Sequence, residues 1–439
     1  MLPNQTNLHP VGLIAVILLG VALLVLPRRY AVVPFLIVAC FITSTQRIVV
    51  MTLDFNLLRL LILFGWARVC MSSEAAGFKW KRLDVLIVLW TVAGTIVMLL
   101  REGTMAGLVY RLGMMYDAIG LYFLFRILIR SWDDVEAIIT CAAVISVPVA
   151  VIFLIEQATG RNMFAVFGGV SEYTVVRDGR LRCRGPFAHP IAAGCFWAAL
   201  MPLIGALWWN GRPTRLLAPV GVAASAVIVM TTASATPIVA MLVAGFAATV
   251  FPFRKYLGLM RWGAMLGLVS LHLVMVNPVW HLLARIQLVG GTGWYRYKLI
   301  DEFVNHFGEW WLLGTSSYSQ WWQYSFDAVT NQYVLEAVNG GLLTLVFFIA
   351  IIVVAFRGVG QIGRSAGRHR FLQLTAWAIG ASLVVHCASF IAVAYFGQLI
   401  IVWYMALSCV GSLLADTGRR RVYRIAARNG DTTTIPQLS

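Results

Sequence analysis

Charge is scarce in this sequence. Only 12% of its 439 residues are Asp, Glu, Lys or Arg, while 60% are hydrophobic. Soluble domains carry about 25% charged residues, so a soluble globular class is excluded. Acid is scarcer than base: 18 Asp and Glu face 34 Lys and Arg, a formal charge of +16. In a soluble chain that excess would raise nucleic acid as a partner. Here no basic stripe alternates with base-stacking aromatics. Most of the excess falls in short loops and the tail, so nucleic acid is not expected. The 7 cysteines are odd in number and lie mostly in apolar runs, with no C-x-x-C or Cys/His spacing. That argues against a disulfide framework and a metal site, and no cofactor is expected. The N-terminal stretch lacks a basic region before its first apolar run, and no small-residue cleavage site follows. That run is expected to remain as a helix. No fixed-period repeat or low-complexity linker is visible.

What the sequence does have is apolar runs of roughly 17–25 residues, the length that crosses a bilayer. They predict an all-α fold, a polytopic transmembrane helical bundle of about 12–13 spans. The first is centred near Leu18 and the last near Tyr404. Pro27 and Arg28 also allow the first two to form a re-entrant hairpin. Every second loop is basic, from Arg28 and Arg29 to Arg364 and the Arg419–Arg421 tail. These loops and the C-terminus are therefore expected on the cytoplasmic side, with the N-terminus outside. The expected organisation is 1–277 as N-terminal transmembrane helices with an Arg-rich exported connection at 159–190. A large exported loop follows at 278–330, then C-terminal transmembrane helices at 331–416 and a cytoplasmic tail at 417–439.

The two exported connections carry the chemistry. From Tyr297 the apolar positions Ile300, Phe303, Val304, Phe307 and Trp311 recur at helical spacing. This predicts a helix that lies flat in the membrane interface or packs on its own domain. Tryptophans crowd the same loop, as they do where a ring is half wet. The other connection holds Arg161, Arg177, Arg180, Arg182 and Arg184. Arginine presents a planar fork that matches phosphate oxygens two at a time. If the connections meet, Arg182, Arg184, Arg285 and Arg296 would make a cationic pocket for a lipid-linked pyrophosphate. Otherwise they contact lipid phosphates or pair with Asp178, Asp301 and Glu302. Inside the spans, Asp54 and Arg59 share the third, Asp117 lies in the fifth, and His272 and His386 lie in later ones. These read as interhelical polar clamps or as a site near the outer surface.

Three segments carry a family resemblance. The run Arg182-Cys183-Arg184-Gly185-Pro186-Phe187, followed by a span led by Pro190, resembles a motif of the O-antigen ligase and polymerase superfamily. Tyr295-Arg296-Tyr297 through Leu313-Gly314 resembles its next motif, an arginine opening an amphipathic helix that ends in leucine-glycine. Thr330-Asn331-Gln332-Tyr333 through Glu336 to Gly341-Leu342-Leu343 resembles the start of the following span. Together they cover under a fifth of the chain.

The resemblance implies a metal-independent glycosyltransferase in the bacterial inner membrane. Its partners would be an undecaprenyl-pyrophosphate-linked oligosaccharide, a growing glycan chain and membrane lipids. The expected function is polymerisation of exopolysaccharide or O-antigen; a ligase or a lipid-linked glycan flippase are the alternatives. Arg182 and Arg296 would hold the pyrophosphate, with Arg184, Arg285, Asn331 and Tyr333 as further binding residues. The chain departs from the family at Thr330, which stands where the family has its basic histidine. Threonine cannot be a base at neutral pH, so Asp327 is the expected base, Glu336 the second choice, and Thr330 an orienting hydroxyl.

Overall fold

A computed structural model describes residues 6–50, 53–211, 214–285, 293–321, 329–367 and 369–428. The chain runs α1 (Pro10–Val25), α2 (Val33–Phe41), strands β1 (Arg47–Val50) and β2 (Leu53–Asn56), and α3 (Leu57–Met71). Then come α4 (Arg82–Glu102), α5 (Met105–Leu128) and α6 (Trp132–Thr159). A second hairpin, β3 (Val175–Arg177) and β4 (Arg180–Arg182), precedes α7 (Pro190–Ala206), α8 (Leu217–Thr231), α9 (Ala235–Thr249) and α10 (Leu257–Val274). The short helices α11 (Gly293–Asn305) and α12 (Phe307–Trp310) lead to α13 (Gln332–Ser365), α14 (Arg370–Phe390) and α15 (Leu399–Arg428).

The fold is an all-α helical bundle. Among the described residues nine helices are long and apolar enough to cross a membrane, and α1 and α9 are apolar but shorter. The expected second span is only the nine-residue α2. Pro34 sits in its first turn, and the polar Thr43, Thr45 and Gln46 follow its end. The chain then turns into the antiparallel β1–β2 hairpin. Asp54 consequently lies in β2, where it pairs with Arg47 at 3.0 Å, and does not share a span with Arg59. Arg59 pairs instead with Asp117 on α5, through two contacts of 2.8 and 2.7 Å. A bidentate pair of this kind clamps α3 to α5.

Helices α7, α14 and α15 form the most enclosed part of the bundle. α7 packs on α8, α9 and α14, and Trp197, Phe196 and Phe187 are wholly buried there. α10 is the opposite case, with no residue of its length buried. Several arginines near helix ends are engaged: Arg28 with Asp134 at 2.7 Å, Arg68 with Glu74 at 2.6 Å, and Arg126 with the fully buried Asp84 at 3.3 Å.

α13 is two helices joined by a break. Gly340 and Gly341 have non-helical backbone angles, and Gly341 has φ 69°, a region that favours glycine. A β-carbon on Gly341 would also meet the Leu312 carbonyl. The break frees backbone groups that elements outside α13 satisfy. Thr315 N–H and Arg101 Nη1 both donate to the Val338 carbonyl, each at 2.7 Å. Leu342 N–H donates to the Trp311 carbonyl at 2.8 Å. Backbone left unpaired at membrane depth is strongly unfavourable, so a broken helix needs such neighbours.

Candidate functional site

The connection between α6 and α7 is organised around one buried carboxylate. Glu156, in the last turn of α6, is 0% exposed. It accepts hydrogen bonds from Thr174 Oγ1 at 3.0 Å, Arg184 N–H at 3.1 Å and Gly185 N–H at 2.9 Å. Asn162 Nδ2 donates to the Gly185 carbonyl at 2.8 Å, and Cys183 N–H donates to Thr231 at 3.1 Å. Gly185 has φ 54°, and a β-carbon there would collide with Phe153. The Arg182–Pro186 run is thus pinned to α6 and to the end of α8, which sets where its arginines point.

Arg182 is buried, and its Nη2 donates to Ser234 Oγ at 2.7 Å. Ser234 is the N-cap of α9, and no side-chain bond caps that helix. Arg296, from the other long connection, donates through Nη2 to Thr236 Oγ1 at 2.7 Å. Thr236 lies in the first turn of α9. Two arginines from separate connections therefore converge on one helix N-terminus. Neither forms an ion pair among the described residues. Burial pushes both guanidinium pKa values down from their ordinary value, and Arg177 adds to the effect on each. Asp178 partly offsets it at Arg182. The Arg182 Nε is also buried with no partner among the described residues. Two cations, free amides and the positive end of a helix dipole in one place form an anion-binding arrangement.

His189 caps α7 beside them, with Nδ1 accepting the Ile191 N–H at 3.1 Å. That bond leaves the ring proton on Nε2. His189 has solvent-accessible area, yet enough protein crowds it that desolvation pushes its pKa down to about 4, aided by Arg182, Arg184 and Arg177. Near neutral pH it is an uncharged member of a cationic neighbourhood.

The other expected binding arginines are placed elsewhere. Arg184 closes its own loop, donating to the Ala188 carbonyl at 3.3 Å and to Ser171 Oγ at 2.6 Å. Arg285 is exposed at the end of the 3-10 helix Val279–Arg285. α11 packs on that 3-10 helix. Its inward residues are Tyr295, Leu299 and Phe303, which join Trp310, Trp321 and Val334 in a small separate core. Leu299 was not in the expected apolar stripe. Val304, Phe307 and Trp311, which were, are exposed. The expected stripe is thus divided: α11 ends at Asn305 with Phe303 against protein, while Val304 on it and Phe307 and Trp311 beyond it are open.

The start of α13 is tied to the α14–α15 connection. Asn331 caps α13, its Oδ1 accepting the Val334 N–H at 3.1 Å, and its Nδ2 donates to the Ile391 carbonyl at 3.1 Å. Tyr333 Oη donates to the Cys387 carbonyl at 3.1 Å. Gln332 Oε1 accepts the Tyr395 N–H at 2.7 Å. Gln398 Nε2 reaches the Pro186 carbonyl at 3.1 Å, joining this connection to the arginine-bearing one. Thr330 is partly exposed at the corner before Asn331. Glu336 is buried one turn inward, and both its oxygens are occupied, by Trp90 Nε1 at 2.8 Å and Gln332 Nε2 at 2.7 Å. Asp327 lies outside the described residues.

Ser234 and Thr236 went unnoticed in the sequence, although Ser-Ala-Thr-Pro before an apolar run is a helix-start signature. Tyr395 and Gln398 carried no local signal. Among the described residues no group of His, Cys, Asp and Glu is arranged to hold a metal. No protein-family model matches the chain, and no curated protein matches it.

Proposed function

We propose that this protein is an inner-membrane glycan polymerase that joins undecaprenyl-pyrophosphate-linked oligosaccharide units at the outer face of a bacterial membrane. The observation that carries the reading is the convergence of Arg182 and Arg296 on the first turn of α9. A buried cation without a partner charge is unfavourable. A pyrophosphate seated between the two arginines removes that penalty and meets the free amides at the helix end. The same contacts stabilise the negative charge that develops as the pyrophosphate leaves the anomeric carbon. The apolar helices supply the surroundings for a polyprenyl tail, and the aromatic α10–α13 connection suits sugar stacking. In this reading the arginine-bearing face is the outer one and the C-terminus is cytoplasmic.

The test is turnover of purified undecaprenyl-pyrophosphate-linked repeat unit by the protein in lipid nanodiscs. Polymer should form with wild type and be lost in Arg182→Ala and Arg296→Ala, with lysine a poor substitute because it lacks the bidentate fork. Normal polymer from both alanine variants would overturn the proposal. Transfer of single preformed glycans to another acceptor, without chain growth, would replace polymerase by ligase.

A further inference from the structure

The arginine pair serves the leaving group and leaves the acceptor proton without a destination. His386 lies in the last turns of α14 and is 0% exposed. Its Nδ1 is 2.6 Å from Tyr395 Oη. Its Nε2 is buried with no hydrogen-bond partner among the described residues. Phe390 stacks on the ring and Trp403 meets its edge. An aromatic hydrocarbon would fill this place without leaving a polar nitrogen unmatched. A buried group of that kind calls for an explanation beyond packing.

Tyr395 gives His386 a way out of the core. It is only partly buried, and it sits in the connection that Gln332, Asn331 and Gln398 hold against α13 and Pro186. Ser389 and Cys195 are polar neighbours of Tyr395. Cys195 is in turn within electrostatic reach of Arg296. Tyr395 therefore lies in the connection that joins the start of α13, beside Thr330 and Asn331, to the arginine-bearing connection. A sugar hydroxyl attacking a donor held by Arg182 and Arg296 would arrive there.

We propose that Tyr395 and His386 form the proton-accepting pair of this site, Tyr395 as the catalytic residue that touches the acceptor hydroxyl and His386 as the positioning residue behind it. This inference rests on the reading of the arginine pair as a pyrophosphate holder. As the acceptor oxygen bonds to the anomeric carbon, its proton passes to Tyr395 Oη and the tyrosine's own proton to His386 Nδ1, so the imidazolium exists only while the leaving pyrophosphate carries the matching negative charge. The bond from the anomeric carbon to the pyrophosphate oxygen breaks, and its electron pair leaves with the lipid pyrophosphate. The proton returns from His386 through Tyr395 to water. The pair supplies what Thr330 cannot, with Thr330 left as an orienting hydroxyl.

The experiment compares wild type, His386→Gln and Tyr395→Phe in the nanodisc turnover assay, with undecaprenyl pyrophosphate as the binding probe. Both variants should lower kcat by about 10²–10⁴-fold, the usual contribution of general-base help. Probe affinity and melting temperature should stay at wild-type values. Glutamine can still accept the tyrosine's hydrogen bond but is not a base. Wild-type kcat in His386→Gln would therefore show that only the hydrogen bond matters, and would overturn the proposal. So would a loss of kcat that tracks a loss of probe binding or of melting temperature. His386→Ala with added imidazole is the second variant: recovered turnover supports the pair, and no recovery in a protein of wild-type melting temperature counts against it. If wild type itself makes no polymer, the polymerase reading fails. If wild type is active, Arg182→Ala is dead and both pair variants run normally, only this inference fails.

Discussion

The two long connections deliver one arginine each to the same helix end by opposite means. The α6–α7 connection has almost no core of its own. It is held to the bundle by polar groups, chiefly the buried Glu156 carboxylate with its three donors and the Asn162 amide. The α10–α13 connection packs Leu299, Trp310 and Trp321 into a small core with Val334, Ala337 and Val338 of α13. It touches the bundle through Arg296 at Thr236 and through Trp311 and Thr315 at the break in α13. The first is thus held by buried polar groups, and the second by a small apolar core that it builds on the start of α13. Hydrogen-bonded buried groups fix position, whereas a local apolar core fixes shape.

The largest expected effect tests whether the two means serve one ligand. Arg182→Ala and Arg296→Ala should each lower polymer formation by about 10²–10³-fold, as loss of a charge-stabilising donor does. The double variant should lose less than the product of the two, because groups acting on one ligand are not additive. Fully multiplicative losses would separate the two arginines into two sites. Next in size, Leu299→Ala should destabilise the α10–α13 connection by about 2–5 kcal/mol. Hydrogen exchange should show this opening confined to residues 293–321 and the start of α13 that shares their core, and opening that spreads to α7 would erase the distinction between the connections. Glu156→Gln should lower stability by about 1–3 kcal/mol, since an amide nitrogen then faces one of the backbone donors. Here the melting temperature of the whole bundle should fall, and a purely local change would break the comparison from the other side.

The smallest effect is a pH dependence at His189. Its pKa in the folded protein is pushed down to about 4 from 6.5, so the unfolded chain takes up a proton over that window while the folded one does not. Stability is therefore complete above the unfolded value and falls as pH drops from 6.5 towards 4. A slope of melting temperature against pH should appear there and be shallower in His189→Asn. An unchanged slope in that variant would remove His189 from the cationic neighbourhood.

The sequence by itself determined the class of this protein and the chemistry of its connections. Apolar run length and helix caps are local properties, and they read as spans whether or not the spans have found each other. The arginine-bearing and aromatic segments were likewise visible, because residue type carries its donor geometry and ring chemistry with it. Only the tertiary structure decided which arginines converge. Arg182 meets Ser234 across 52 residues and Arg296 meets Thr236 across 60, separations that no local spacing records. Arg184 and Arg285 have the same chemistry and are placed elsewhere. The tertiary structure also moved Asp54 out of a span and into a hairpin, and turned Arg59 to Asp117 on another helix. It broke α13 at two glycines where Trp311, Thr315 and Arg101 could satisfy the freed backbone. Each of these depends on what a distant segment brings to the contact, and that is settled only when the helices pack.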